Sequence, residues 1–222
     1  KMSPFDKNSI YGMYNRTENY QSDCSYISQI KAFKDNVSIK SCLSYTFSVS
    51  NSQGTSLIKD RPFTAEMTRS IMLLKEKPYR PRMADYRIGV FFTGREQLGE
   101  GAKTTVPVYY ANRWDIQPSD TAAYLRGEKV KPTKQIVFYI DNTFPEKWKP
   151  YLREGVTQWN ELFEQIGFKD VVAAKDFPTD DPEFDPDNIK YSCVRYAPSS
   201  IENAMGPSWV DPRSGEILRS EE

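Results

Sequence analysis

The stretch from residue 136 to residue 168 constrains this chain most, because it reads as a buried strand followed at once by a helix. Ile136, Val137, Phe138, Tyr139 and Ile140 form an unbroken apolar run, the pattern of a strand covered on both faces. Thr143 and Glu146 follow with the Thr-x-x-Glu spacing of a capping box. Trp148, Leu152, Val156, Trp159, Phe163 and Ile166 then recur every three or four residues, which places them on one side of a helix. Pro150 sits early, where its missing N–H costs least. Gly167 supplies a stop, and Phe168 the apolar residue that often closes a helix end. The spacing predicts one long helix, with Trp148, Trp159 and Phe163 as core residues rather than a ligand box.

Residues 171–174, 189–196 and 204–210 read as further strands, so the region predicts a twisted sheet with the helix packed on it. Upstream, Val37, Ile39, Leu43, Tyr45, Phe47 and Val49 occupy alternate positions, as on the half-buried face of a strand. Residues 51–56 have the composition of a turn. Residues 67–74, 87–92 and 106–110 are three more strand candidates, and the rest of the first 60 residues reads as loops and short strands. Residues 118–132 read as a connector with a short helix, Ser119 as its N-cap and Gly127 as its stop. The expected domains are a β-rich one over 1–131 and an α/β one over 132–222, with the boundary near Lys131.

Composition excludes several functions. Thirty basic and thirty acidic residues cancel, so the chain lacks the basic excess of a nucleic-acid binder. Hydrophobic residues make up 38% and aromatics 14%, enough to build a core and more than a disordered chain carries. No apolar run approaches the roughly 20 residues that span a bilayer. No signal peptide is recognisable, and the first residue is Lys1, which suits an excised segment. There is no histidine, which rules out Ser-His-Asp and Cys-His catalysis within the chain and removes the commonest zinc ligand. Cys24, Cys42 and Cys193 are neither a disulfide framework nor a zinc knuckle, although a Cys24–Cys42 bridge stays open.

The acidic run 179–188 offers Asp180, Asp181, Glu183, Asp185 and Asp187. Carboxylates at this density can wrap calcium, and Asp180, Asp181, Asp185 and Asp187 are the candidate ligands. The run lacks the Gly and Glu of an EF-hand loop, and the plainer reading is a solvated loop shaped by Asp and Pro. Cys193 has no base to activate it as a nucleophile. Asp211-Pro212-Arg213-Ser214-Gly215 reads as a tight turn between two strands.

Four strings taken together resemble a known family. They are RPRMADYRIGVFF (80–92), IVFYIDNTFPEKWKPYLREGVTQWNELFEQIGF (136–168), KDFPTDDPEFDPDNIKYSCVRY (175–196) and NAMGPSWVDPRSGEIL (203–218). In this order they are similar to large bacterial zinc-dependent metallopeptidases, secreted or periplasmic, with a metzincin-like catalytic domain. The resemblance implies an α+β chain. A β-rich N-terminal domain precedes the first half of a metzincin-like α/β sandwich, a twisted sheet with one long helix. It also implies that the zinc ligands, an H-E-x-x-H helix with a third His, belong to a part of the enzyme beyond these residues. The chain therefore carries no catalytic residue and no zinc ligand.

What the resemblance does carry over is the strand that edges the substrate cleft, at Asn203, Ala204, Met205, Gly206, Pro207 and Ser208 and on to Val210. Its main chain would pair with a peptide substrate, and its small residues would let the peptide approach. The partners implied are a protein or peptide substrate and the remainder of the catalytic domain. An apolar surface near the C-terminal strands is expected, left for that remainder or for self-association. Two rival readings stay open: an extracellular protein- or glycan-binding module, and a degenerate peptidase kept as an interaction protein.

Overall fold

A computed structural model describes residues 14–99, 101, 103–198 and 204–221. The chain divides into two compact units, Lys1–Leu73 and Leu74–Glu222.

The first unit is an antiparallel sheet of three long strands in the order β1 (Tyr14–Ala32), β2 (Asn36–Asn51) and β3 (Ser56–Met72). The alternation in β2 sets its two faces. Leu43 and Tyr45 are buried on one face, and Phe47 lies beside them. Tyr45 stacks on Phe63 of β3 at 5.7 Å and meets Tyr20 of β1 at 5.4 Å. Phe47 meets Phe63 edge-on at 5.9 Å. Such cross-strand aromatic pairs are what hold a sheet in register. The turn after β2 forms as expected, with the Asn51 side chain accepting from the N–H groups of Gln53 (3.0 Å) and Thr55 (2.8 Å). Gly54 supplies the positive φ there. β1 is longer than the sequence suggested. It is interrupted by register shifts between Gln21 and Tyr26 and between Ile27 and Gln29, and these erase the period-two pattern.

The second unit opens with an antiparallel pair, β4 (Phe92–Leu98) and β5 (Thr105–Ala111). A short helix α1 (Thr121–Leu125) follows, capped by Asp120 rather than Ser119: the Asp120 carboxylate accepts from Ala123 N–H at 2.9 Å. Next come β6 (Ile136–Ile140), α2 (Lys149–Thr157), α3 (Trp159–Gln165), β7 (Val172–Asp176), β8 (Ser192–Val194), β9 (Ser208–Val210) and β10 (Ile217–Ser220). β7, β6 and β8 form a parallel sheet with β6 in the centre. Its core gathers Ala123, Val130, Ile136, Phe168, Val171 and Val172, with Phe138, Val156 and Phe163 packed against them. Bridges between Pro118 and Pro132 and between Val130 and Phe168 fold the 118–132 segment into this unit, so Lys131 lies inside it.

The expected α/β sandwich with one long helix does not form. Strand accounts for 47% of the structure and helix for 10%, so the fold is β-rich. Two side chains and one main-chain bond account for the missing helix. Thr157 turns its hydroxyl back to the carbonyls of Arg153 (2.8 Å) and Glu154 (3.2 Å), a local bond that bends helices. Glu161 N–H then takes the carbonyl of Gln158 at 3.1 Å, one residue short of the α-helical partner, and tightens the turn. Asn160 binds the main chain of Val172 through both ends of its amide, each bond 2.8 Å, and ties α3 to β7.

The capping box also fails. Thr143 bonds Asp141 through its N–H and hydroxyl, while Glu146 pairs with the buried Lys149 at 2.6 Å. The far end is as expected: Gly167 has φ +87°, its N–H reaches the Glu164 carbonyl, and Phe168 N–H reaches that of Phe163. Among the described residues no helix is long and apolar enough to cross a membrane.

Candidate functional site

The site with the most built-in geometry is the β9–β10 hairpin. An isolated parallel bridge between Cys193 and Glu221, and a bond from Ser220 N–H to Ser192 Oγ at 3.1 Å, set β10 beside β8. β9 then lies on the far side of β10, and among the described residues no other strand pairs with it. Asp211 N–H bonds the Glu216 carbonyl (2.9 Å), and Glu221 N–H bonds the Pro207 carbonyl (3.0 Å). Main-chain groups alternate in an antiparallel pair, so the odd residues of this stretch face β10. Ser208 and Val210 therefore direct their N–H and C=O away from β10, toward the open edge.

Local chemistry fixes the turn. The buried Asp211 carboxylate accepts from Arg213 N–H (2.8 Å) and from its guanidinium (2.8 Å to Nη2). That guanidinium holds the Asp211 carboxyl below its ordinary pKa. Gly215 has φ +77°, and a Cβ there would sit 2.5 Å from the Ala111 carbonyl oxygen. This close approach lets Arg113 N–H bond the Gly215 carbonyl and Ile217 N–H bond the Arg113 carbonyl, both at 2.9 Å. Glu216 is buried and ion-paired with Lys75. Arg219 lies 4.7 Å over the Trp209 ring and donates to Glu221 at 2.9 Å. The turn at 211–215 is legible from its Pro and Gly, whereas this polar network is not. Its only signal was the density of charge, with Asp211, Arg213, Glu216, Arg219 and Glu221 inside eleven residues.

Of the expected cleft residues, Asn203 lies outside the described residues, and Ala204, Met205, Gly206, Pro207 and Ser208 are all exposed. Only Ser208 belongs to β9 itself. Among the described residues, the exposed apolar surface expected near these strands reduces to Met205. The large exposed hydrophobics of this unit gather instead on residues 83–92 and on α3, where Trp159 is 60% exposed rather than in the core.

A concavity of about 270 Å³ opens beside the hairpin, lined among others by Lys75, Trp114, Tyr139, Lys190, Tyr191 and Glu216. Phe138 packs with the helices, so its neighbour Tyr139 faces the opposite side of the sheet. Tyr139 there meets Phe184 (5.2 Å) and Tyr191 (5.3 Å). Phe184 thus anchors the acidic run to the sheet. Asp181 and Asp185 accept from the N–H groups of Glu183 (2.9 Å) and Asp187 (2.8 Å) and so shape the loop's own turns. Asp180 is exposed. Among the described residues no three His, Cys, Asp or Glu side chains gather in a way that could hold a metal. Cys193 is fully buried, and burial pushes its thiol up to about 11, which leaves it a poor nucleophile. Cys24 and Cys42 are unbridged.

Residues 2–119, more than half of the chain, match the family model described as "Domain of unknown function (DUF5117)". No curated protein and no solved structure matches the chain.

Proposed function

The chain belongs to the DUF5117 family, and from that premise we propose that it is the N-terminal part of a secreted or periplasmic zinc-dependent metallopeptidase. Its own contribution is a scaffold and the strand that edges the substrate cleft. The observation that supports this reading is the open side of β9, where Ser208 and Val210 offer outward main-chain donors and acceptors. An extended peptide can add to such an edge as a further strand, its backbone giving affinity whatever its side chains. The small and exposed Gly206 and Ser208 leave room for that approach. The chain has no histidine, so it cannot itself supply the ligands of an H-E-x-x-H zinc helix. No chemical step is therefore assigned to its residues.

The test uses the full-length protein, assayed for bound zinc and for chelator-sensitive cleavage of an unstructured protein. Ser208→Pro removes one outward N–H and keeps the main-chain pairing to β10, at the loss of the 3.3 Å bond between the Ser208 and Ser220 hydroxyls, and Ser208→Ala, which loses only that bond, is the control. Ser208→Pro is expected to lower cleavage about fivefold or more, the worth of one lost hydrogen bond, with zinc content unchanged. A parent protein that neither binds zinc nor cleaves ends the peptidase reading. Cleavage indifferent to Ser208→Pro ends the role given to β9.

A further inference from the structure

Residues 83–92 meet the 109–112 segment at both ends and, among the described residues, make no main-chain bond to it between them. The Ala84 N–H bonds the Tyr109 carbonyl (2.8 Å), Ala111 N–H bonds that of Arg82 (2.9 Å), and Asn112 N–H bonds that of Phe91 (2.8 Å). Both ends of the loop are thus tied down. Between them Asp85 accepts from the Arg87 N–H (3.0 Å) and from its guanidinium, and Ile88 N–H returns to the Asp85 carbonyl at 3.0 Å. The projection is pre-formed by its own hydrogen bonds. Its tip is open: a Cβ added at Gly89 would meet nothing within 4 Å.

What this projection displays is unusual for a surface facing only water. Tyr86 is 98% exposed, Phe91 88% and Ile88 61%, with Met83, Val90 and Phe92 also exposed beside them. Six exposed large apolar side chains within ten residues mark an interaction site. Its surroundings carry a charge signature: residues 80–96 hold Arg80, Arg82, Arg87 and Arg95 against Asp85 and Glu96, a surplus of two positive charges in a chain whose net charge is zero, and with Arg87 paired to Asp85 the exposed Arg80 and Arg82 carry it.

We propose that the loop 83–92 seats the protein on an anionic lipid surface. Tyr86, Ile88 and Phe91 enter the boundary between headgroups and acyl chains, while Arg80 and Arg82 lie against the headgroup phosphates. Aromatic and aliphatic side chains with a basic collar suit that boundary, because each gains there what it loses in water or in hydrocarbon. The charge selects among occupants: a partner that was only apolar would leave Arg80 and Arg82 without counter-charges, and an anionic bilayer supplies both. The loop is preorganised, so insertion orders little new backbone. This inference stands apart from the peptidase reading and needs neither zinc nor cleavage.

The test is co-sedimentation of the full chain with vesicles of phosphatidylcholine alone and with about one third phosphatidylglycerol. Binding is expected to the anionic vesicles only, and raising the salt from about 0.1 to 1 M should release it. Tyr86→Ser with Phe91→Ser is expected to weaken binding by roughly tenfold or more, from the lost apolar burial. Arg80→Gln with Arg82→Gln is expected to weaken it about 25-fold, roughly fivefold for each arginine. All four side chains are exposed, and near-ultraviolet circular dichroism of each variant checks that the fold is kept. Failure to bind anionic vesicles, or binding that survives the Tyr86 and Phe91 changes, overturns the proposal. A wild-type chain that ignores vesicles and self-associates through this loop, becoming monomeric in the same variant, assigns the patch to a second copy instead.

Discussion

The two units of this chain keep their structure by different means. In Lys1–Leu73 three strands of sixteen to nineteen residues pair along most of their length, and a ladder of Tyr20, Tyr45, Phe47 and Phe63 fastens them. In Leu74–Glu222 the strands have seven residues or fewer, and β8 and β9 only three. Short strands leave many main-chain groups without a ladder partner, so side chains make up the difference. Asn160 completes β7, Ser192 receives Ser220, and Asp211 holds its own turn. Long strands make a unit that tolerates polar exchange on its surface. Short ones make a unit that depends on a few side chains, each with a specific bond.

That contrast can be broken experimentally, because all four tryptophans (114, 148, 159 and 209) lie in the second unit. Tryptophan fluorescence follows that unit, while far-ultraviolet circular dichroism follows both. The largest effect is expected from Tyr45→Ala, which empties a buried aromatic site and should cost about 3–5 kcal/mol. Urea titration should show it in the dichroism with the fluorescence midpoint held. Gly215→Ala is expected to cost about 2 kcal/mol or more, since the new Cβ meets the Ala111 carbonyl in a positive-φ conformation. Here the fluorescence midpoint should fall. The smallest effect is acid. The Asp211 carboxyl is depressed in the folded chain, so its contribution is complete above the unfolded carboxylate value and is lost as pH falls through the folded one. The fluorescence midpoint should decline below about pH 4, and Asp211→Asn should flatten that decline. Equal shifts of both signals in all three experiments would erase the distinction between the units.

How much was legible follows the same divide. The alternation of β2 and the Asn51 turn could be read directly, because each depends on residues adjacent in sequence. β1 was missed, since its bulges put neighbouring residues out of phase. The helix after β6 was over-read. Its apolar spacing runs unbroken through Gln158, but the interruption comes from Thr157 and from the pull of Asn160 toward Val172, a partner twelve residues away. Periodicity reports which residues could share a face, and says nothing about a side chain that binds a distant strand. The strand expected over 204–210 forms only at 208–210, and the buried charges of the turn that follows depend on contacts with Lys75 and Arg113 that no local pattern encodes.

The contact between Gly215 and Ala111 has a consequence for inheritance. The family match ends at residue 119, yet Arg113, inside the match, exchanges both of its main-chain bonds with Gly215 and Ile217, outside it. A recombination that joined foreign sequence after residue 119 would strand the N–H and C=O of Arg113 and open the space that only a glycine now allows. The stretch recognisable as one family and the stretch that folds as one body therefore have different borders, and selection must carry the hairpin at 208–220 along with a neighbour that begins a hundred residues earlier.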